Sequence, residues 1–164
     1  MPIDVLMLQL GTPDAPTTKA LKPYLREFLS DSRVIEGPAW LRWLLVNLII
    51  VPFRSSKSAA KYQRIWDEKS GSPLLSITQS QRDRLQERLG NQYRVTFGMR
   101  YGRPSIPDVI AELMKNRCER LILLPMYPQY SATTTASSFD AAFDAIKTHS
   151  VVPSVRAIAE YHED

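Results

Sequence analysis

The spacing of apolar residues changes several times along the chain, and each change marks an element. Ile3 to Leu10, IDVLMLQL, is an almost unbroken apolar run of strand length. Gly11 to Pro16 bounds it as a Gly/Pro loop. Leu21, Tyr24, Leu25, Phe28 and Leu29 then recur at helical spacing behind Thr17 or Thr18 as a cap. Ser30 to Arg33 breaks that pattern. Residues 38–53 and 54–69 predict two further helices, closed by the turn Ser70 to Pro73. Leu75, Ile77, Leu85 and Leu89 predict another, ended by Gly90. Tyr93 to Met99 alternates as a strand does, and Ser105 to Asn116 carries a helical stripe. Leu121 to Leu124 is a short strand, Phe139 to Ile146 a helix, and Val151 to Ala159 a last strand. The order β-α-α-α-α-β-α-β-α-β predicts an α/β fold with a parallel sheet, right-handed crossovers and flanking helices.

Two stretches stand out from this pattern. In Leu121 to Ser138, LILLPMYPQYSATTTASS, a strand meets a loop stiffened by Pro125 and Pro128. Hydroxyls from Ser131 to Ser138 then crowd the start of the next helix. A strand end followed by a helix start is where open α/β folds bind ligands, although Ser and Thr are also ordinary N-caps. The second stretch is Pro38 to Phe53, PAWLRWLLVNLIIVPF, in which Arg42 and Asn47 are the polar residues. It is too short to span a bilayer, which needs roughly 20 apolar residues. Two readings stay open for it: a buried core helix, or an exposed apolar lip with Trp40 and Trp43 at an interface. Behind it Arg54, Lys57, Lys61 and Arg64 share one helix face, either as a solvated surface or as a dock for acidic lipid or a partner.

Composition narrows the class. A chain of 164 residues, 44% hydrophobic and 23% charged, suits one globular core. A single cysteine, Cys118, leaves no disulfide framework within the chain, which fits a reducing compartment. The start MPID lacks the basic and apolar regions of a secretory signal, so a cytoplasmic location is expected. Net charge is +4 and fourteen of the 21 basic residues are Arg, which favours an anionic ligand. No nucleic-acid motif is present, and the Gly11 loop lacks both G-x-G-x-x-G and the P-loop spacing.

Four groups of residues, in order, resemble ferrochelatase. They are Leu6 to Pro13 (LMLQLGTP), Lys61 to Ile65 (KYQRI) with Ser70-Gly71-Ser72-Pro73, Gly98-Met99-Arg100-Tyr101, and Tyr127-Pro128-Gln129-Tyr130-Ser131 with Thr134 to Ser138. The Pro-Gln-Tyr-Ser group is the most specific. The resemblance implies insertion of ferrous iron into protoporphyrin IX to give protoheme, the last step of heme biosynthesis. It implies a chelatase-like architecture of two similar α/β lobes around a porphyrin cleft. Residues 1–150 then correspond to the amino-terminal lobe. Residues 151–164 are expected to open a following segment, truncated at Asp164. No cofactor is implied, and ferrous iron and protoporphyrin IX are substrates.

The family's Ser-Ala-His-Ser-Leu-Pro motif and its later acidic partner have no counterpart here, so no catalytic residue and no metal ligand is carried over. His149 reads as a solvated helix-end residue. His162 with Glu163 and Asp164 looks like a metal cluster on paper but lies at the terminus. A porphyrin is an apolar disc with two carboxylates at one edge, so its pocket needs apolar walls and cationic or hydroxyl groups at the rim. Leu10 matches the position facing the ring, although plain core is its other reading. Arg33, Ser72, Arg100, Tyr101, Tyr130 and Ser131 are the candidates for the propionate edge and the cleft wall. The resemblance favours the lip reading of Trp40 to Phe53, and with it a peripheral membrane contact. Alternatives from other classes are a single-lobe cobalt or nickel chelatase, a non-catalytic porphyrin-binding module, and a flavodoxin-like phosphate binder using the Thr133 to Ser138 helix start.

Overall fold

A computed structural model describes residues 2–163 and divides them into two compact units. The sheet unit runs to Leu10, then covers Ile77–Arg100 and continues from Pro104. The helical unit is Gly11–Ser76 with Tyr101–Arg103. The expected border at residue 150 therefore falls inside the sheet unit. Asp164, part of the expected terminal cluster, lies outside the described residues.

The sheet unit is built on a four-stranded parallel sheet in the order β2-β1-β3-β4, with β1 at Ile3–Thr12, β2 at Tyr93–Gly102, β3 at Arg120–Pro125 and β4 at Ser154–Ala157. Asp4 pairs with Leu121 and Leu8 with Pro125, while Arg120 pairs with Ser154 and Leu123 with Ala157. Both faces of the sheet are covered, which is why β1 reads as continuous apolar sequence. Leu6 and Leu8 point one way with Leu121 and Leu123, onto Ile106, Ile110 and Leu113 of α5 (Ile106–Lys115) and Ala142 and Ile146 of α6 (Ser137–Ile146). Val5 and Met7 point the other way with Val95, onto Leu85 and Leu89 of α4 (Pro73–Leu89). Each fully buried Leu or Ile contributes about 2 kcal/mol to this core. Asp4 interrupts the apolar run and is only 2% exposed. Arg94 answers it with two parallel bonds, Nε to Oδ1 at 2.5 Å and Nη2 to Oδ2 at 3.0 Å.

The helical unit starts with α1 (Thr18–Ser30), where Thr17 Oγ1 accepts the Ala20 N–H at 3.3 Å as an N-cap. The two helices expected between residues 38 and 69 are one. α2 (Ala39–Leu44), a π-helical segment (Leu45–Ile50) and α3 (Val51–Ile65) run on without leaving helical backbone angles. Pro52 explains the widened turn. It has no N–H to give Leu48, and its ring crowds the carbonyl four residues back. The chain uses the fifth-residue bond instead, Val51 N–H to Val46 O. Buried positions then read Val46, Val51, Ser55 and Ala59, with a step of five at the wide turn and steps of four after it. α1 packs on α3 through an aromatic chain. Tyr24 lies 6.4 Å from Phe28 and 6.3 Å from Tyr62, Phe28 lies 5.0 Å from Tyr101, and Tyr62 lies 6.5 Å from Trp66.

Several boundaries differ from the sequence expectation. β2 runs on to Gly102, so Arg100 and Tyr101 lie in the strand rather than after it. The helix expected from Phe139 begins at Ala132 with a second π-helical segment, Ala132–Ala136. β4 begins at Ser154, not Val151, because Pro153 has no N–H for the ladder.

Candidate functional site

Four of the seven expected residues belong to the sheet unit and share its carboxyl edge. Leu10 is the last residue of β1 in that unit, half-buried, and donates its N–H to Gln9 Oε1 at 3.1 Å. Gln9 is held in turn by Thr78 of α4 at 3.5 Å. Beside β1, the Met126 N–H donates to Leu8 O at 2.9 Å, which sets the start of the Pro-rich loop against the end of β1. Tyr161 pins the rest of that loop, giving its hydroxyl to Pro125 O at 3.0 Å and its N–H to Pro128 O at 2.9 Å. Burial raises the Tyr161 phenol above its ordinary pKa. Tyr130, at the loop's end, is 53% exposed. Ser131 opens the π-helical turn, and its carbonyl accepts the Thr134 and Ala136 N–H groups at 3.3 and 3.2 Å. Its hydroxyl lies 3.1 Å from Thr133 Oγ1. Arg100, on β2, donates Nε–H to Ser137 Oγ at 2.6 Å, which ties the strand to the head of α6.

The remaining three belong to the helical unit. Arg33 is half-buried in the turn after α1, where its N–H donates to Asp31 Oδ1 at 2.8 Å. Tyr101 is fully buried and donates its hydroxyl to the other oxygen of Asp31 at 2.9 Å. Ser72 is buried and donates to Thr12 Oγ1 at 2.8 Å. Tyr101 and Ser72 were expected at the cleft wall; the structure buries both, Tyr101 completely and Ser72 to 5% exposure. Their packing makes them positioning residues, one behind Arg33 and one behind the end of β1. The turn before Ser72 is set by Asp67, whose Oδ1 accepts the Lys69 and Ser70 N–H groups and the Ser70 hydroxyl at 2.9, 2.6 and 2.8 Å. The Ser70 bonds foremost hold the Asp67 carboxyl below its ordinary pKa.

The hydroxyl cluster is less available than its sequence suggests. Thr135, Ser137 and Ser138 are fully buried, and Thr135 Oγ1 accepts the Ser131 N–H at 3.4 Å. They build the wide turn and its seat, which weakens the phosphate-binding alternative. Asp31, Ser137 and Tyr161 were not among the expected residues. Asp31 stood in the segment that broke the first helix, and Ser137 among the hydroxyls; both signals were compatible with simple caps.

A cavity of about 720 Å³ lies elsewhere in the sheet unit, at the amino edge of the sheet. Met114, Arg117, Cys118, His149 and Val151 are among its lining residues. His149, expected to be solvated, is half-buried there. None of the seven expected residues lines it. His162, in the last residues of the chain, faces Glu160 at 3.9 Å and Glu163 at 3.7 Å.

The ferrochelatase family profile matches residues 3–164. This chain belongs to the ferrochelatase family. It is 50% identical over 162 residues to a ferrochelatase of Herminiimonas arsenicoxydans, covering 97% of this chain and 44% of that protein. It is 52% identical over 158 residues to a ferrochelatase of Methylococcus capsulatus, covering 96% of this chain and 48% of that one. A ferrochelatase of Idiomarina loihiensis is 46% identical over 165 residues. The chain thus spans about half the length of the curated relatives it matches. The four-stranded α/β unit is the fold expected of a ferrochelatase lobe. No helix among the described residues is long and apolar enough to cross a membrane.

Proposed function

We propose that this chain supplies one wall of the porphyrin cleft of a ferrochelatase that inserts ferrous iron into protoporphyrin IX. The observation that carries the reading is the carboxyl edge of the sheet unit. Leu10, Arg100, Tyr130 and Ser131 come from three separate segments to that one edge, the edge open α/β sheets use for ligands. Leu10 offers an apolar contact for the ring. Arg100, already oriented by Ser137, offers a cation for a propionate. Tyr130 and Ser131 offer hydroxyls at the rim. A guanidinium donates and does not accept, so the base that removes the pyrrole protons has to be another group.

The apolar stretch supports a second part of the proposal, a cytoplasmic protein in peripheral contact with a membrane. Trp40, Leu41, Trp43, Leu44, Leu48, Ile49 and Phe53 are all exposed, Trp40 by 66% and Phe53 by 72%. This exposure supports the lip reading over the buried core helix, and it suits a porphyrin arriving from a lipid phase.

The test is anaerobic mixing of the purified chain with protoporphyrin and ferrous iron, followed by absorption and by porphyrin fluorescence. Expected are porphyrin binding weakened at least tenfold by Arg100→Leu, and no metal insertion above a protein-free control. One lobe leaves the opposite face of the ring open to water, where bending strain cannot be sustained. Unchanged porphyrin binding in Arg100→Leu contradicts the cleft-wall reading. Turnover abolished by His149→Ala or His162→Ala supports the single-lobe chelatase instead.

A further inference from the structure

The helix over residues 39–65 is polarised along its length. Its outward ridge steps through Trp40, Leu44, Leu48 and Phe53, then Lys57, Lys61 and Arg64, all exposed. The step of five from Leu48 to Phe53 falls at the same wide turn as Val46 to Val51 on the buried side. Both halves of this ridge lie away from the buried positions Val46, Val51, Ser55 and Ala59. Residues 37–66 hold five basic residues and no acidic one, a charge of +5, while the whole chain carries +4. Packing does not exclude acids here, since Ser56, Ala60 and Gln63 are also out of the core. A solvated helix ordinarily interleaves the two signs. Arg54, Lys57, Lys61 and Arg64 form no ion pair among the described residues.

We propose that the basic half of this helix binds anionic lipid headgroups, so that contact of the apolar half with a membrane depends on an anionic surface. This rests on the membrane contact proposed above and adds its lipid chemistry. The apolar half lies in the acyl boundary, and the lysines and arginines next along the helix meet the headgroup charge. A second copy of this chain is a poor occupant, because it brings the same +5 face against itself. Nucleic acid would leave the tryptophans and leucines uncovered.

Co-sedimentation with phosphatidylcholine vesicles, with and without one-third phosphatidylglycerol, tests this. Wild type, a Lys57→Gln, Lys61→Gln, Arg64→Gln variant and a Trp40→Ser, Trp43→Ser, Leu44→Ser variant are compared, with circular dichroism as the folding control. At least tenfold stronger partition onto the anionic vesicles is expected, lost in high salt. The glutamine variant should bind both vesicles as wild type binds the neutral one, and the serine variant should bind neither. Equal wild-type binding to both vesicles, or a glutamine variant that keeps the anionic preference, overturns the lipid selectivity and leaves the membrane contact standing. No binding to either vesicle overturns both. A dimer in sedimentation equilibrium that the serine variant abolishes assigns the face to a second copy and overturns the proposal.

Discussion

A side chain on Gly11 would place its Cβ 1.7 Å from the carbonyl oxygen of Tyr101. One residue further on, a Cβ on Gly102 would lie 2.5 Å from Thr12 O. Both glycines have positive φ, +110° and +85°. The ends of β1 and β2 in the helical unit thus approach through two positions without side chains, and the approach sets Thr12 where Ser72 can bond it. Gly11→Ala combines a backbone clash with a disfavoured φ and should destabilise by about 3 kcal/mol or more. Gly37 is the control, with φ +118° and nothing within 4 Å of a Cβ. Gly37→Ala bears the conformational penalty alone, about 1 kcal/mol. Urea unfolding of both variants measures the difference, and equal losses would refute the role of close approach.

The Asp4–Arg94 pair makes an asymmetric prediction. Asp4 is buried at the head of β1, while the Arg94 side chain is 38% exposed. Its bonds to Asp4 raise the Arg94 pKa further. Removing the cation strands a buried carboxylate, so Arg94→Ala should cost about 3 kcal/mol. Asp4→Asn removes the buried charge and lets Arg94 relax toward water, and should cost less than half of that. Chemical denaturation at neutral pH ranks the two, and the reverse order would contradict this account.

Cys118 sits beneath the amino-edge cavity, 6% exposed, and burial pushes its thiol from 9.0 up to about 12. At pH 8 the folded protein should therefore react with iodoacetamide roughly a thousandfold more slowly than an exposed thiol, and normally once unfolded. The folded pKa lies above the unfolded one, so the associated stability is complete below about pH 9 and declines as pH rises toward 12. Cys118→Ala should flatten that alkaline decline. Rapid alkylation of the native protein would show that the thiol is open to solvent.

The sheet was legible because burial on both faces leaves strands with almost no polar residue, and Gly and Pro mark their ends. The exposure of Trp40 to Phe53 was not legible from pattern alone, because an apolar run reads equally as a buried core helix. The wide turn at Leu45–Ile50 was not legible, since a helix with apolar side chains almost all round offers no period from which to read a step of five. The burial of Tyr101, Ser72, Thr135 and Ser137 was also hidden. A hydroxyl looks alike in sequence whether it faces a ligand or a partner such as Asp31, Thr12 or Arg100. The start of β4 was misplaced by the same weakness in reading a short edge, and Pro153 alone marked it.

Asp31 orders the turn after α1 within the helical unit. One of its oxygens holds the Arg33 N–H at 2.8 Å and the other holds the Tyr101 hydroxyl at 2.9 Å. Tyr101 is itself fixed by full burial and by the Phe28 ring 5.0 Å away. Arg33 therefore takes its place from a carboxylate that a core residue orients. Asp31→Ala removes both bonds and should cost about 2 kcal/mol in stability, whereas Tyr101→Phe removes one and should cost about 1 kcal/mol. Because both changes break the same bond, the double variant should lose little more than Asp31→Ala alone. If Arg33 meets a propionate, Asp31→Ala and Arg33→Ala should each weaken protoporphyrin binding about tenfold, while binding of the dimethyl ester stays nearly unchanged. Fluorescence titration with both porphyrins measures this. Equal loss for the acid and the ester would mean that Asp31 supports the fold of the loop without aiming a cation at the ring.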